Sequence, residues 1–130
     1  MSALRSYADA LRGPYKTRRE FPVRNGQIFS LYQVMALETS TQKLVRYDSA
    51  ASDGANVPYC VIMSAGTADG DTYLDYVYNA DSLNGTKLVF KNTDDTWQDV
   101  AESFRAKGII VEAWNPAENI PLTFESESEA

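Results

Sequence analysis

The sequence predicts an α+β fold that is mainly β: a compact small domain of antiparallel strands with one main helix and an extended N-terminal arm. Short β-prone runs alternate with polar turns from residue 27 to residue 90, which is typical of antiparallel sheets. In the body, apolar residues recur at helical spacing at about residues 96–107, which predicts the main helix there. A length of 130 residues favours a single domain.

The N-terminal residues predict a short helix followed by extended chain. A helix is expected over residues 1–12, because its apolar residues share one helical face and Gly13 and Pro14 stop it. Residues 15–24 are expected to be extended, because Pro22 disfavours helical backbone at Phe21.

The body predicts six strands separated by polar turns. They cover residues 27–37, 43–47, 59–63, 72–78, 86–90 and 109–114. The first two form a hairpin, because the residues between them are polar. Asp53 and Gly54 mark a tight turn in the loop 48–54. The third run is apolar throughout, which predicts a strand buried on both faces.

The main helix has a buried stripe and clear ends. Its apolar residues recur at positions i, i+3, i+4 and i+7. These are Trp97, Val100, Ala101 and Phe104. The N-cap candidates are Asp94, Asp95 and Thr96, and Gly108 is the expected stop.

Charge divides the chain into three parts. Residues 1–24 hold six basic and two acidic residues, a net charge of +4, whereas residues 25–130 hold six basic and sixteen acidic, a net charge of −10. We therefore expect a basic flexible N-terminal arm (residues 1–24), a β-rich domain (25–116) and an acidic C-terminal tail (117–130). The last residues of the tail, 125–130, are expected to be disordered, because Ala130 is the one apolar residue among them.

The basic arm has several possible partners. Nucleic acid, an anionic membrane, an acidic protein surface and plain solvent all fit its charge. The acidic body argues against nucleic acid and membrane, because it repels phosphate from everything but the arm. The sequence has no signal peptide and no apolar stretch long enough for a membrane span, so synthesis in the cytoplasm is expected.

The composition argues against an enzyme. Without histidine, the chain lacks Ser/His and Cys/His nucleophile pairs and His-based metal sites, and no catalytic residue, metal or cofactor is predicted. The carboxylates at Asp69, Asp71 and Asp75 are interpreted as a polar turn, and Cys60 as a buried, inert thiol. The tyrosine and tryptophan content leaves one alternative open, a small β-rich adhesion or carbohydrate-binding module.

A motif in residues 34–65 resembles the lambda-type head decoration proteins of tailed phages. It combines a Lys-Leu-Val strand, an aromatic residue followed by Asp, and a small-residue loop ending in Asp-Gly-Ala. The motif residues are Lys43, Leu44, Val45, Asp48, Asp53 and Gly54. The resemblance spans about residues 15–114 and is strongest over 39–65, while residues 1–12 and the tail beyond Trp114 lie outside it.

The resemblance implies a structural role in the virion. Such proteins bind the outer surface of the expanded capsid as homotrimers and stabilise it, and their arm adds a strand to the major capsid protein. An unpaired segment at residues 15–27 suits that mode, with Phe21 and Val23 filling pockets and the arginines pairing with acidic capsid residues. The implied capsid-binding residues are Tyr15, Lys16, Arg18, Arg19, Phe21, Pro22, Val23 and Arg24.

Overall fold

A computed structural model of the chain describes Tyr7 and residues 9–114. The strands are β1 (Leu11–Arg18), β2 (Ile28–Phe29), β3 (Val34–Glu38), β4 (Lys43–Arg46), β5 (Pro58–Ile62), β6 (Gly66–Thr67), β7 (Tyr76–Asn84) and β8 (Ile109–Glu112). A 3₁₀ helix (Gly85–Lys87) follows β7, and the α-helix α1 (Trp97–Ala106) precedes β8. Among the described residues, no helix is long and apolar enough to cross a membrane.

Six strands form one sheet that forks at β7. The order is β1-β7-β5-β3-β4, with antiparallel neighbours throughout, and β8 pairs with β7 in parallel. On one edge β7 pairs with β1 along most of its length. On the other edge it pairs first with β5, at Tyr76 and Val77, and then with β8, from Ala80 to Asn84.

Both faces of this sheet are covered, which explains the apolar strands. One face packs under α1, whose Val100 and Phe104 are fully buried among Val34, Val61 and other residues of the same cluster. The other face is covered by Val23 and by the two-stranded ribbon β2–β6. Alternate residues of β3 and β5 therefore face different cores, as the two-residue period of a strand requires.

Three sequence predictions are confirmed. The hairpin β3–β4 pairs Glu38 with Lys43 across the polar loop, and β5 is buried on both faces. Helix α1 begins after its N-cap Thr96, whose backbone N–H donates to the Asp99 carboxylate at 2.8 Å. The chain leaves the helix at Gly108, which has a φ of +94°.

The predicted strand at residues 27–37 is wrong in its middle. It is split between β2 and β3 by a turn in which the Gln33 N–H donates to the Ser30 carbonyl at 3.0 Å. Tyr32 adopts a left-handed φ of +69° there. No Gly, Pro or Asn marks this turn, so the β-prone composition concealed it.

The strands predicted at residues 72–78 and 86–90 need correction. Residues 72–75 lie outside any strand, whereas β7 continues to Asn84 because β1 and β8 pair with its polar second half. Neighbouring strands thus override its weak intrinsic β propensity. Residues 86–90 contain the end of the 3₁₀ helix and a single bridge from Val89 to Gln33.

The N-terminal prediction is corrected in part. Leu11 and Arg12 belong to β1, so the predicted helix 1–12 does not include them, and residues 1–6 and 8 lie outside the described residues. Residues 15–18 are extended, as predicted, but they pair with β7 instead of lying free. The predicted acidic tail, 117–130, also lies outside the described residues.

Candidate functional site

Strand β1 forms an edge of the main sheet. It pairs with β7 on one side, and no described strand pairs with its other side. Leu11 is buried, whereas residues 13–18 are exposed. An edge strand presents unpaired N–H and C=O groups to its surroundings, so β1 can accept an additional strand from another chain.

A bulge separates the two halves of β1. The pairing with β7 shifts between Arg12 and Tyr15, where Gly13 has a φ of +72° and Pro14 has no N–H to donate. A second shift follows between Lys16 and Thr17. Tyr15 is 40% exposed, which is notable for an aromatic side chain on an otherwise polar edge.

The basic residues at the end of β1 are exposed and loosely held. The Arg18 guanidinium stacks 3.7 Å from the ring centre of Tyr78 and lies 3.0 Å from the Glu20 carboxylate. The contact with Tyr78 is the main cause that raises the pKa of Arg18, so the guanidinium stays charged. The Arg19 guanidinium lies 2.6 Å from Asp75. Such exposed pairs contribute little to stability.

Residues 22–24 are anchored in the body, contrary to the expectation of an unpaired segment at 15–27. Pro22 and Val23 are buried, and the Val23 N–H donates to the Thr72 carbonyl at 2.7 Å. The Pro22 carbonyl accepts the Leu44 N–H at 2.8 Å. Val23 therefore already fills a pocket in its own chain.

Arg24 and Phe21 also have partners within the body. The Arg24 guanidinium donates to both oxygens of Glu38, at 2.9 and 2.8 Å, and Glu38 is buried. Phe21 packs edge-on against Tyr59, with ring centres 6.0 Å apart. Of the predicted capsid-binding residues, those of β1 and Arg19 are the exposed ones.

The motif residues of the hairpin and the following loop have structural roles. Leu44 and Val45 are buried, and Lys43 lies 2.6 Å from the Asp71 carboxylate. Gly54 has a φ of +98°, and a Cβ there would lie 2.5 Å from the Thr39 hydroxyl. This close approach explains why a glycine stands at the end of the loop.

The side chains of Asp48 and Asp53 stabilise the same loop through hydrogen bonds. Asp48 accepts hydrogen bonds from Asn92 at 2.7 Å and Lys91 at 3.1 Å, which lower its pKa, and its other contact is the Ala50 N–H. Asp53 accepts the Ala55 N–H at 3.4 Å. Both carboxylates therefore stabilise the turn structure of the loop 48–54.

The other carboxylates and the thiol considered as possible site residues are explained by ion pairs and by burial. Asp71 is held by Lys43 and the Asn25 N–H, and Asp75 by Arg19. Cys60 is fully buried, as predicted, and desolvation raises the pKa of its thiol well above the usual range. Within the described residues, no group of three or more acidic or cysteine side chains is placed to hold a metal ion.

The sequence could not reveal a pocket where the sheet forks. Its lining residues come from β1, β5, β7 and the end of α1, so they are far apart in the sequence. They are Arg18, Tyr59, Tyr78 and Lys107. Several other aromatic residues pack edge to face, as Tyr47 does against Phe90, and so do not form an open stacking platform.

The comparisons with known proteins give one family. The family model described as bacteriophage lambda head decoration protein D matches residues 12–109, which include all of β1 except Leu11 and extend to the first residue of β8. No curated protein is significantly similar to the chain.

Proposed function

This chain belongs to the bacteriophage lambda head decoration protein family, and from that premise we propose that it stabilises the expanded phage head as a trimer bound to its outer surface. A role in decorating the phage capsid follows from the family itself. The trimer, the outer surface and the contact with the major capsid protein are the proposal. In that contact, the N-terminal arm and a segment of the capsid protein pair as strands.

The unpaired edge of β1 is the observation that best supports this contact. Because Val23 and Arg24 are fixed in the body, the part of the arm that can pair with a partner is the exposed stretch of β1. Strand addition uses main-chain hydrogen bonds, which give affinity without requiring a particular sequence. Tyr15 and Lys16 then supply the side-chain contacts.

The distribution of charge also supports β1 as the surface that contacts the capsid. The body is acidic, whereas β1 and the residues directly after it carry Arg12, Lys16, Arg18 and Arg19. A basic strip on an acidic body orients the protein toward an acidic partner surface as the two approach. Complementary charge of this kind mainly accelerates association.

Stabilisation follows from linkage. A protein that binds only the expanded lattice stabilises it by RT ln(1 + [L]/Kd), about 2.7 kcal/mol per site at a hundredfold excess over Kd. Three arms on one trimer act at high effective concentration, so weak single contacts can gain roughly 10²- to 10⁴-fold in combined affinity.

Binding to purified heads tests the proposal. The full-length chain should co-sediment with expanded heads and not with unexpanded ones, and ultracentrifugation should give the mass of a trimer. The Lys16→Glu variant should bind expanded heads more weakly, because the exposed Lys16 has no ion pair among the described residues and its loss leaves the fold intact. Arg105→Glu, a charge reversal on the exposed surface of α1, is the matched control.

Two results would count against the proposal. Equal binding to expanded and unexpanded heads would remove the cementing role, and equal loss in the two charge variants would remove β1 as the contact. Deleting residues 1–24 is a poorer test, because it also removes a strand of the sheet and the buried Val23.

A further inference from the structure

A pocket of about 260 Å³ opens at the fork of the main sheet. Between the part of β7 that pairs with β5 and the part that pairs with β8, Tyr78 and Asn79 have no strand partner on that edge. Tyr59 of β5 lines the pocket on one side and Lys107, just before β8, lines it on the other. Arg18, at the end of β1, completes it.

The chemistry of this fork pocket suits carboxylates. Its lining consists of two cations and two tyrosines, without an acidic side chain. Lys107 is exposed and makes no ion pair within the described residues. Arg18 is bonded to Glu20, but both side chains are at least 40% exposed, and such pairs exchange easily. A carboxylate ligand would form charge-assisted hydrogen bonds with both cations.

The C-terminal end of the described chain lies at the start of the same strand. The Trp114 ring is 4.3 Å from the Arg12 guanidinium, and the Trp114 carbonyl accepts a hydrogen bond from Asn84 at 2.8 Å. Arg12 and Arg18 are six residues apart on β1, a distance of roughly 20 Å along the strand. The residues beyond Trp114 therefore start about 20 Å from the fork pocket.

These residues have both the length and the charge to reach it. Eleven residues lead from Trp114 to Glu125, and a chain of that length spans up to roughly 36 Å. Glu125, Glu127 and Glu129 then follow at alternate positions. This segment lies outside the residues that match the family model.

We propose that the acidic end of this chain, residues 125–130, binds the fork pocket of the same molecule through its glutamates. The segment then covers the basic end of β1, next to the edge that an added strand would use. The inference does not depend on the proposed function, because the contact is within one chain. Its test uses the free protein without heads.

Zero-length carbodiimide coupling, which joins a lysine amine to a carboxylate in direct contact, tests this contact in the full-length protein. Mass spectrometry should find Lys107 joined to Glu125, Glu127 or Glu129. Lys87 is the matched control, since it lies three residues from Asn84 and so nearer the start of the C-terminal segment. A merely tethered segment would couple to Lys87 at least as often, whereas a docked one couples to Lys107 several-fold more.

Variants and salt separate docking from chance contact. Arg18→Gln and Tyr78→Phe should each reduce coupling at Lys107 and leave coupling at Lys87 unchanged. Raising the NaCl concentration to about 0.5 M should also reduce coupling at Lys107, because salt screens exposed charges. Coupling in an equal mixture of ¹⁴N- and ¹⁵N-labelled protein should join peptides of one label. Mixed-label products, or coupling at Lys107 no greater than at Lys87, would overturn the proposal.

Discussion

The side chain of Asn84 holds both backbone groups of Trp114. Asn84 Nδ2 donates to the Trp114 carbonyl at 2.8 Å, and Oδ1 accepts the Trp114 N–H at 3.4 Å. The same Nδ2 donates to the Asp9 carbonyl at 3.1 Å. One fully buried carboxamide thus joins the residues before β1 to those after β8. Asp9 and Trp114 consequently lie close to the same side chain of β7, the strand that pairs with β1.

The Asn84→Ala variant should lose about 2–3 kcal/mol of stability. It leaves two backbone carbonyls without their donor and removes the cap of the 3₁₀ helix, where Oδ1 accepts the Thr86 N–H. Urea denaturation measures the loss. Asn25→Ala is the control. Among the described residues, the exposed Asn25 carboxamide accepts a hydrogen bond from the Gly70 N–H alone, so this substitution should cost less than about 1 kcal/mol. Equal losses would show that Asn84 does not join the two segments.

Helices and strands whose sequence pattern lies within one short stretch of the chain were predictable from the sequence. Helix α1 has its stripe, its N-cap Thr96 and its stop at Gly108 in one short window. Strand β5 has a continuous apolar run because both of its faces are buried. In such elements, local pattern and tertiary packing agree.

Pairing between distant residues was not predictable in this way. The second half of β7 is a strand because β1 and β8 bond to it, and nothing near Asn79 signals this. Likewise, Val23 and Arg24 were predicted as partner-binding residues because the sequence could not show Leu44 and Glu38 beside them. Register and ion pairing depend on the assembled fold, whereas composition identifies only the basic strip.

The Arg24→Ala variant should be destabilised more than Arg19→Ala. Removing Arg24 leaves Glu38, which is 7% exposed, without its charged partner, and this should cost about 1–3 kcal/mol. The pair of Arg19 and Asp75 is largely exposed, so its loss should cost less than about 1 kcal/mol. Thermal and urea denaturation compare the two variants. Equal stability would return Arg24 to the set of free capsid-binding candidates.

Stability should decrease at acid pH, in part because of Asp48 and Asp71. The hydrogen bond from Asn92 lowers the pKa of Asp48, and the contact with Lys43 lowers that of Asp71, both from 3.8. A lowered folded pKa stabilises the protein above the unfolded value, and this contribution is lost as pH falls through the folded value. The urea concentration at which half of the protein is unfolded should therefore decrease as the pH is lowered below about 4. The double variant Asp48→Asn/Asp71→Asn should be less stable than the wild type at neutral pH and should lose less stability on acidification. If both proteins lost the same stability on acidification, these two carboxylates would not be its cause.

Cys60 should react with a thiol reagent only when the protein unfolds. Its side chain is fully buried, and desolvation raises its pKa, so little thiolate is present or accessible in the native state. Ellman's reagent should give no reaction in buffer and one thiol per chain in urea. The Ser52→Cys variant, with a cysteine in the exposed loop, should react once without urea. Rapid native reaction of the wild type would show that the sheet opens at β5.

Gly85 and Trp97 should be energetically coupled. A Cβ on Gly85 would lie 2.5 Å from Trp97 Cγ, so the indole of the first residue of α1 rests directly on the backbone of the 3₁₀ helix. Gly85→Ala should cost about 1–3 kcal/mol by overpacking. In a Trp97→Ala background the cost should fall, which gives a coupling energy of about 0.5–3 kcal/mol in a double-mutant cycle.

Gly108→Ala is the control for this cycle. Its φ of +94° makes alanine unfavourable there, and the nearest atom to an added Cβ is Asn79 Nδ2 at 2.6 Å, not the indole. The costs of Gly108→Ala and Trp97→Ala should therefore add, within about 0.5 kcal/mol. Additivity in the Gly85 cycle as well would mean that the indole moves aside freely. The packing of α1 onto the end of β7, beside Asn84, would then not be rigid.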